Sequence, residues 1–250
     1  MRKIGILALV LLSCSGLQAK MPYDAVCVLN RANNGGGGSG TLIAKIENKG
    51  LILSEAHVIH SVTEIEATWP AHKITRTAKP IYVSYLYDTA LLVVDNPPGE
   101  PVALALDLTT DQTLYLCGFP WYSRDKLQYQ KGKLDKFFGT QVYNNTFALT
   151  SCRPAGGMSG GPAFNERGSL IGSVQAVQAD KTKGGVIVAN TIIVPIMMAY
   201  TDPETWVPIT HHVRTNWTKK SADRERTDLT ETYDESTAPD LIETKVPAKR

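Results

Sequence analysis

The chain has 250 residues, of which 43% are hydrophobic and 20% are charged, and its formal net charge at pH 7 is only +2. This length and composition are ordinary for a globular protein with one large domain or two small ones. The near-neutral charge and the scattered basic residues give no indication of a nucleic-acid partner or of an anionic surface as a ligand.

The first nineteen residues have the order of features that is typical of a secretory signal peptide. Two basic residues follow Met1, an apolar run extends from Ile4 to Leu12, and small and polar residues continue as far as Ala19. This order predicts a signal peptide at 1–19 and export to the periplasm or the medium. An alternative is cleavage before Cys14, because residues 11–14 resemble a bacterial lipoprotein motif. A lipid on Cys14 would anchor the protein to a membrane, and the soluble product is the favoured alternative.

Cleavage after Ala19 leaves three cysteines, Cys27, Cys117 and Cys152. Because the number is odd, at most one internal disulfide can form. Cys27 and Cys117 lie in apolar, strand-like runs, where a buried free thiol is expected, and no pairing is predicted.

Short β-prone runs separated by turn residues dominate positions 22 to 200, and helical periodicity is hard to find there. In chain order the clearest runs are Ala25–Leu29, Gly40–Ile46, Leu51–Leu53, Ile65–Trp69, Ala90–Val94, Thr113–Cys117, Thr146–Thr150, Ser169–Val177 and Gly185–Val188. A connector near 95–108, which begins with two prolines and a glycine, separates two groups of runs. The pattern predicts one all-β region over 20–210, of sandwich or barrel type.

The C-terminal forty residues have a different composition. Between Ser221 and Glu235 the apolar residues besides Tyr233 are only Ala222 and Leu229. Such a stretch cannot bury enough apolar surface to offset the entropy of ordering, so we expect a polar, disordered tail at 211–250. An interaction arm is the functional alternative. No metal site or cofactor is predicted, because the adjacent histidines at 211 and 212 lack a suitably spaced further ligand.

Three motifs carry the residue types of nucleophilic catalysis. His57 follows the run Leu51–Leu53, Asp88 precedes the run Ala90–Val94, and Ser159 is flanked by glycines. A serine hydroxyl needs an adjacent base, histidine is a suitable base, and an acid must orient the imidazole. Glycines beside the serine leave backbone N–H groups unobstructed, and those of Gly157 and Ser159 are the candidate pair for an oxyanion hole.

These motifs resemble those of the trypsin-like serine peptidases. The segments concerned are Gly38-Ser39-Gly40-Thr41-Leu42-Ile43, Ala56-His57-Val58, Asp88-Thr89-Ala90-Leu91 and Gly157-Met158-Ser159-Gly160-Gly161-Pro162. The short spacings are similar to those of the compact bacterial HtrA and glutamyl-endopeptidase branch, here expected without a PDZ domain. The resemblance implies two six-stranded antiparallel β-barrels, with the active site in the cleft between them.

The same resemblance implies a serine endopeptidase that acts on proteins or peptides through an acyl-enzyme. His57 and Asp88 would come from the first barrel and Ser159 from the second. Met158 stands where zymogens of this family carry an aspartate, so activation through that salt bridge is not expected. A catalytically latent binding protein on the same scaffold is the alternative function.

The family pattern also places the primary specificity pocket along Ser173–Val177, which includes Gln175 and Val177. Val177 stands where a glycine often keeps the pocket open, so the pocket would be shallow and would suit a small apolar residue. Arg153 lies near the pocket base by the same pattern. If its side chain points inward, an acidic residue before the scissile bond would pair with it. A surface position for Arg153 is the alternative.

Overall fold

The computed structural model describes residues 21–31, 36–138, 147–177 and 184–210. The predicted signal peptide at 1–19, Cys14 with its lipoprotein alternative, and the predicted tail at 211–250 lie outside the described residues. None of the helices in the described part has the length and apolar character needed to cross a membrane.

The first half of the chain forms a closed barrel of six antiparallel strands. They are β1 (Val26–Asn30), β2 (Gly37–Ile46), β3 (Lys49–Ser54), β4 (Ile65–Trp69), β5 (Ile74–Ser84) and β6 (Thr89–Asp95). The order around the barrel is β1-β2-β3-β6-β5-β4, and β1 closes it by pairing with β4. Its interior is filled by apolar side chains that include Leu29, Ile52, Trp69 and Leu92.

The second half forms a second closed barrel of six antiparallel strands. They are β7 (Thr113–Gly118), β8 (Gln128–Phe138), β9 (Phe147–Thr150), β10 (Pro162–Asn165), β11 (Leu170–Val177) and β12 (Gly185–Ala189). The order is β10-β11-β12-β9-β8-β7, and β10 closes the barrel against β7. The two closed barrels confirm the predicted architecture of two six-stranded antiparallel barrels.

The barrels pack against each other through a shared apolar cluster. It joins Leu42 and Leu53 of the first barrel to Phe164 and Val188 of the second. The chain then returns towards the first barrel after α1 (Asn190–Ala199), since Ile209 donates a backbone hydrogen bond to Pro80 at 2.8 Å. The shared cluster holds the two barrels together.

The helix α1 was not anticipated from the sequence. It contains several β-branched residues and Pro195, which are unfavourable in a helix interior. Burial of Ile192, Ile193 and Met197 in the shared cluster stabilises it, so tertiary packing overrides the local preference.

Candidate active site

Strand pairing brings His57 and Asp88 together. β3 and β6 are neighbours, with Ser54 opposite Ala90, so the chain leaves β3 beside the point where it enters β6. His57 lies three residues after the end of β3, and Asp88 lies directly before β6. The backbone N–H of Ala56 donates to the carbonyl of Asp88 at 3.1 Å, which joins the two turns.

The carboxylate of Asp88 accepts two hydrogen bonds from His57. Nδ1 of the imidazole lies 2.7 Å from Oδ2, and the backbone N–H donates to Oδ1 at 2.9 Å. With Nδ1 as the donor, Nε2 is the basic nitrogen and is left available on the other side of the ring. The arrangement can hold the imidazole in the tautomer that general-base chemistry requires.

Arg31 fixes the backbone around His57 from the opposite direction. Its Nη2 donates to the carbonyl of His57 at 2.5 Å, and its Nε donates to the carbonyl of Val58 at 2.8 Å. Arg31 follows β1 directly, so the first barrel supplies both the turn and its support. Burial lowers the pKa of the Arg31 guanidinium from its usual value.

Ser159 lies in the glycine-rich turn that precedes β10. Its hydroxyl donates to the backbone carbonyl of Gln175 at 3.0 Å. The pairing register between β11 and β12 shifts between Val174 and Ala176, which leaves Gln175 at a bulge with its carbonyl free for Ser159. No hydrogen bond joins Ser159 Oγ to His57 Nε2 among the described residues, so the nucleophile is held by β11 in this state.

The peptide groups that precede Gly157 and Ser159 have fixed orientations. The carbonyl of Gly156 accepts from the N–H of Trp121 at 2.8 Å, and the carbonyl of Met158 accepts from the N–H of Gly161 at 2.9 Å. In a trans peptide the C=O and the following N–H point in opposite directions. The N–H groups of Gly157 and Ser159 therefore point away from these two contacts, and within the described residues neither donates to a backbone acceptor.

Gly157 can occupy this position only because it lacks a side chain. Its φ is +98°, and a Cβ there would lie 2.7 Å from the carbonyl oxygen of Phe119 and 2.8 Å from the amide nitrogen of Trp121. Two preorganised N–H donors beside a serine can stabilise negative charge on the oxygen of an attacked carbonyl. The turn therefore offers two N–H groups that can serve as such donors.

The second carboxyl group of the site belongs to Glu55, which is completely buried. Its Oε1 lies 2.5 Å from the hydroxyl of Ser173, whereas Oε2 has no partner among the described residues. Burial, and secondarily the negative charge of Asp88, raise the pKa of Glu55 well above its usual range. Glu55 therefore keeps its proton to higher pH than an exposed glutamate does.

Comparison with known protein families gives a match over residues 38–172, just over half of the chain, to the trypsin-like peptidase domain. The chain belongs to the trypsin-like peptidase family. A comparison with curated proteins gives no significant match.

Solved structures of bacterial proteases share the fold of this peptidase. A serine endoprotease from Yersinia pestis is 21% identical with a TM-score of 0.60, over 72% of this chain and 63% of the other. The HtrA-type protease AlgW with a tripeptide is 19% identical with a TM-score of 0.61, over 75% and 62% of the two chains. The inactive form of the Rv3671c protease from M. tuberculosis is 16% identical with a TM-score of 0.59, over 73% and 90%. The alignments thus span less than two thirds of the first two proteases.

The predicted pocket residues of the peptidase have different environments. The side chain of Gln175 is buried and its Oε1 has no partner among the described residues, while Val177 is half-buried. Arg153 is exposed, and its backbone N–H donates to the side chain of Gln130 at 2.6 Å. Arg31, Glu55 and Ser39 were not predicted from the sequence as parts of the site. Of these, Ser39 stands inside a quoted motif, and Glu55 directly precedes the motif Ala56-His57-Val58.

Proposed function

We propose that the protein is a serine endopeptidase in which His57, Asp88 and Ser159 form the catalytic triad. The observation that carries the proposal is the pair of hydrogen bonds between His57 and Asp88, at 2.7 and 2.9 Å, beside a serine in a glycine-rich turn. The family match adds support, because proteins and peptides are the substrates that the family implies.

In the proposed reaction, Ser159 Oγ attacks the carbonyl carbon of the scissile peptide bond and its proton passes to His57 Nε2. Asp88 holds Nδ1–H and stabilises the imidazolium. The N–H groups of Gly157 and Ser159 donate to the oxyanion of the tetrahedral intermediate. As the C–N bond breaks, the leaving amine takes the proton from Nε2 and an ester to Ser159 remains. Water, deprotonated by His57, then hydrolyses the ester and frees the serine.

Before attack, the hydroxyl of Ser159 must leave the carbonyl of Gln175 and turn towards His57. One hydrogen bond of 3.0 Å has to be exchanged for another, which costs little. Catalytic hydrogen bonds often become short only when substrate is bound. We infer that peptide binding along β11 brings about this change.

The test is reaction of the purified protein with a fluorophosphonate, which forms a covalent bond only with an activated serine. We expect labelling of the wild type and none of Ser159→Ala. Ser169→Ala is a suitable control, since Ser169 lies in the turn that precedes β11, away from the proposed triad. Absence of labelling in a folded wild-type protein would contradict the proposal.

The hydrogen bond between Ser159 and Gln175 favours a second candidate function, a catalytically latent protein that binds peptides in the same cleft. The two candidates differ in the labelling experiment, because a latent protein would bind a peptide without reacting with the probe. Isothermal titration of the unlabelled protein with a peptide library pool would then detect the binding function.

Two substrate preferences are proposed, which differ in the role given to Arg153. If the exposed guanidinium reaches the pocket, an acidic residue before the scissile bond is favoured by charge pairing. If it stays in solvent, the half-buried Val177 leaves a shallow pocket for a small apolar residue. Cleavage of a peptide library by the wild type and by Arg153→Ala distinguishes them, because only the first preference depends on the arginine.

We also propose that the protein is exported after removal of residues 1–19, with anchoring through a lipid on Cys14 as the alternative. The support is the order of basic, apolar and small residues at the N-terminus. Metabolic labelling with a fatty-acid analogue tests the anchor. Label that disappears in Cys14→Ser would establish it, and unlabelled protein in the soluble exported fraction would exclude it.

A further inference from the structure

Ser39 lies on β2 of the first barrel, yet its side chain contacts the oxyanion turn of the second barrel. The residue is completely buried. Its hydroxyl donates to the carbonyl of Gly157 at 2.9 Å, although the two residues are 118 positions apart. The same oxygen accepts a hydrogen bond from the backbone N–H of Phe119, also at 2.9 Å. The hydroxyl thus uses its donor and one of its acceptor sites.

This hydroxyl connects two backbone segments that lie side by side. One runs from Phe119 to Trp121. The other consists of the two peptide units that flank Gly157. Trp121 and Gly156 are joined directly, with the N–H of one donating to the carbonyl of the other at 2.8 Å. Between Phe119 and Gly157 the Ser39 hydroxyl takes the place of such a direct bond, because it accepts from the first and donates to the second.

The backbone of Ser39 holds the other half of the turn. Its N–H donates to the carbonyl of Ser159 at 2.7 Å, and its own carbonyl accepts from the hydroxyl of Ser54 at 2.9 Å. Ser39 therefore binds the carbonyl oxygens of both residues whose N–H groups form the proposed oxyanion site. Gly38, the preceding residue, allows this approach, since a Cβ there would lie 2.6 Å from the carbonyl oxygen of Ser159.

We propose that Ser39 is a positioning residue for oxyanion stabilisation. From the opposite barrel it fixes the peptide groups that follow Gly157 and Ser159, and so restricts the backbone rotation that sets the direction of their N–H groups. The proposal rests on the proposed function for its catalytic consequence. Its structural part, the fixing of the turn, is independent of catalysis.

Removal of the hydroxyl would have a specific physical effect. The carbonyl of Gly157 and the N–H of Phe119 would both be left buried without their partner. Gly157 has no Cβ to restrict rotation about its backbone bonds, so the turn would gain conformational freedom. The N–H of Gly157 would then spend less time in the orientation that binds an oxyanion.

The test compares Ser39→Ala with Thr41→Val. Thr41 lies two residues further along β2, is completely buried, and its hydroxyl has no partner among the described residues. We expect Ser39→Ala to lower kcat about 100-fold with KM changed less than about threefold, the size of effect seen when an oxyanion donor is lost. Thr41→Val should change kcat less than about twofold. Ser39→Cys retains a weak donor on a somewhat larger atom, so its kcat should lie between those of Ser39→Ala and the wild type.

A second measurement does not depend on catalysis. Backbone amide NMR signals of Gly157 and Met158 should shift or broaden in Ser39→Ala and stay unchanged in Thr41→Val. A wild type that fails to react with fluorophosphonate would contradict the proposed function, and the NMR comparison would then decide the role of Ser39. Unchanged amide signals together with a kcat within threefold of the wild type would overturn the proposal. If Ser39→Ala does not fold, both measurements are made on Ser39→Cys.

Discussion

His57 donates to Asp88 through both its ring and its backbone, at 2.7 Å to Oδ2 and 2.9 Å to Oδ1. Both carboxylate oxygens of Asp88 therefore accept hydrogen bonds from the same residue. This arrangement couples the orientation of the imidazole to the conformation of the turn that follows β3, so the two cannot change independently.

Asp88→Asn should lower kcat near neutral pH by about 10⁴-fold, since an amide has only one acceptor oxygen for the two donors of His57. If the amide oxygen keeps the backbone N–H, the NH₂ group faces Nδ1 and favours the wrong imidazole tautomer. The measurement is kcat on a peptide substrate. Asp95→Asn is the matched control, because Asp95 ends the same strand β6, is exposed, and loses the same charge. Equal activity of both variants would contradict the assigned role of Asp88.

Glu55→Gln should change how stability depends on pH. Burial raises the pKa of Glu55 in the folded protein above the unfolded value, so folding is favoured most at low pH and loses stability as the pH rises towards the folded-state pKa. The neutral amide removes this loss. Between the pKa of Glu55 in the unfolded chain and its pKa in the folded protein, the free energy of unfolding of the variant should rise relative to that of the wild type. The expected rise is about 1.4 kcal/mol per pH unit.

Urea denaturation of both proteins from pH 4 to 9 measures the effect. Glu66→Gln serves as the control, because Glu66 is exposed on β4 and its replacement should leave the pH dependence nearly the same. Parallel curves for the wild type and Glu55→Gln would show that Glu55 titrates in the same way in the folded and unfolded chains.

Gly157→Ala should impair catalysis more than folding. The new methyl group would lie 2.7 Å from the carbonyl oxygen of Phe119, so the turn must move. We expect kcat to fall at least about tenfold, by displacement of an oxyanion donor. Gly99→Ala also introduces a side chain at positive φ, +75°, but in the connector between the barrels. It should cost about 1–2 kcal/mol of stability and leave kcat nearly unchanged. A larger kinetic effect at Gly99 than at Gly157 would refute this assignment.

The three described cysteines should be unreactive in the native protein. Cys27, Cys117 and Cys152 are buried free thiols, and burial raises the pKa of each, which disfavours the reactive thiolate. We expect less than about 10% alkylation of each by iodoacetamide in one hour at pH 8, and complete alkylation in urea. Peptide mass spectrometry resolves the three sites. Rapid native modification of any of them would show that the structure around that cysteine opens.

The motifs that contain His57, Asp88 and Ser159 explain why much of the site could be predicted from the sequence. The resemblance of these motifs to those of the trypsin-like peptidases assigned His57 and Asp88 to one cleft, and in the structure they lie after β3 and before its neighbour β6. The strands that were not named in the sequence analysis are β5, β8 and β10. β8 contains four charged residues and β5 includes Pro80, so neither shows the apolar run by which the other strands were found.

The supporting contacts could not be predicted, because they depend on how the two barrels dock. Nothing in the sequence near Ser39 indicates that its hydroxyl lies between Phe119 and Gly157. Likewise, the position of Glu55 directly before Ala56-His57 predicts a residue near the site, but its burial against Ser173 follows only from the packing of β11 on the first barrel.

The contacts of Ser39 also limit when the proposed active site can be completed during synthesis of the chain. A ribosome completes β1 to β6, with His57, Asp88 and Ser39, before it has made Ser159. The proposed nucleophile and its oxyanion donors reach their positions only after the later barrel has docked on the earlier one, since the N–H of Ser39 must meet the carbonyl of Ser159. On the proposed function, a nascent chain that ends before Ser159 would therefore lack both the nucleophile and the oxyanion turn, and would be inactive.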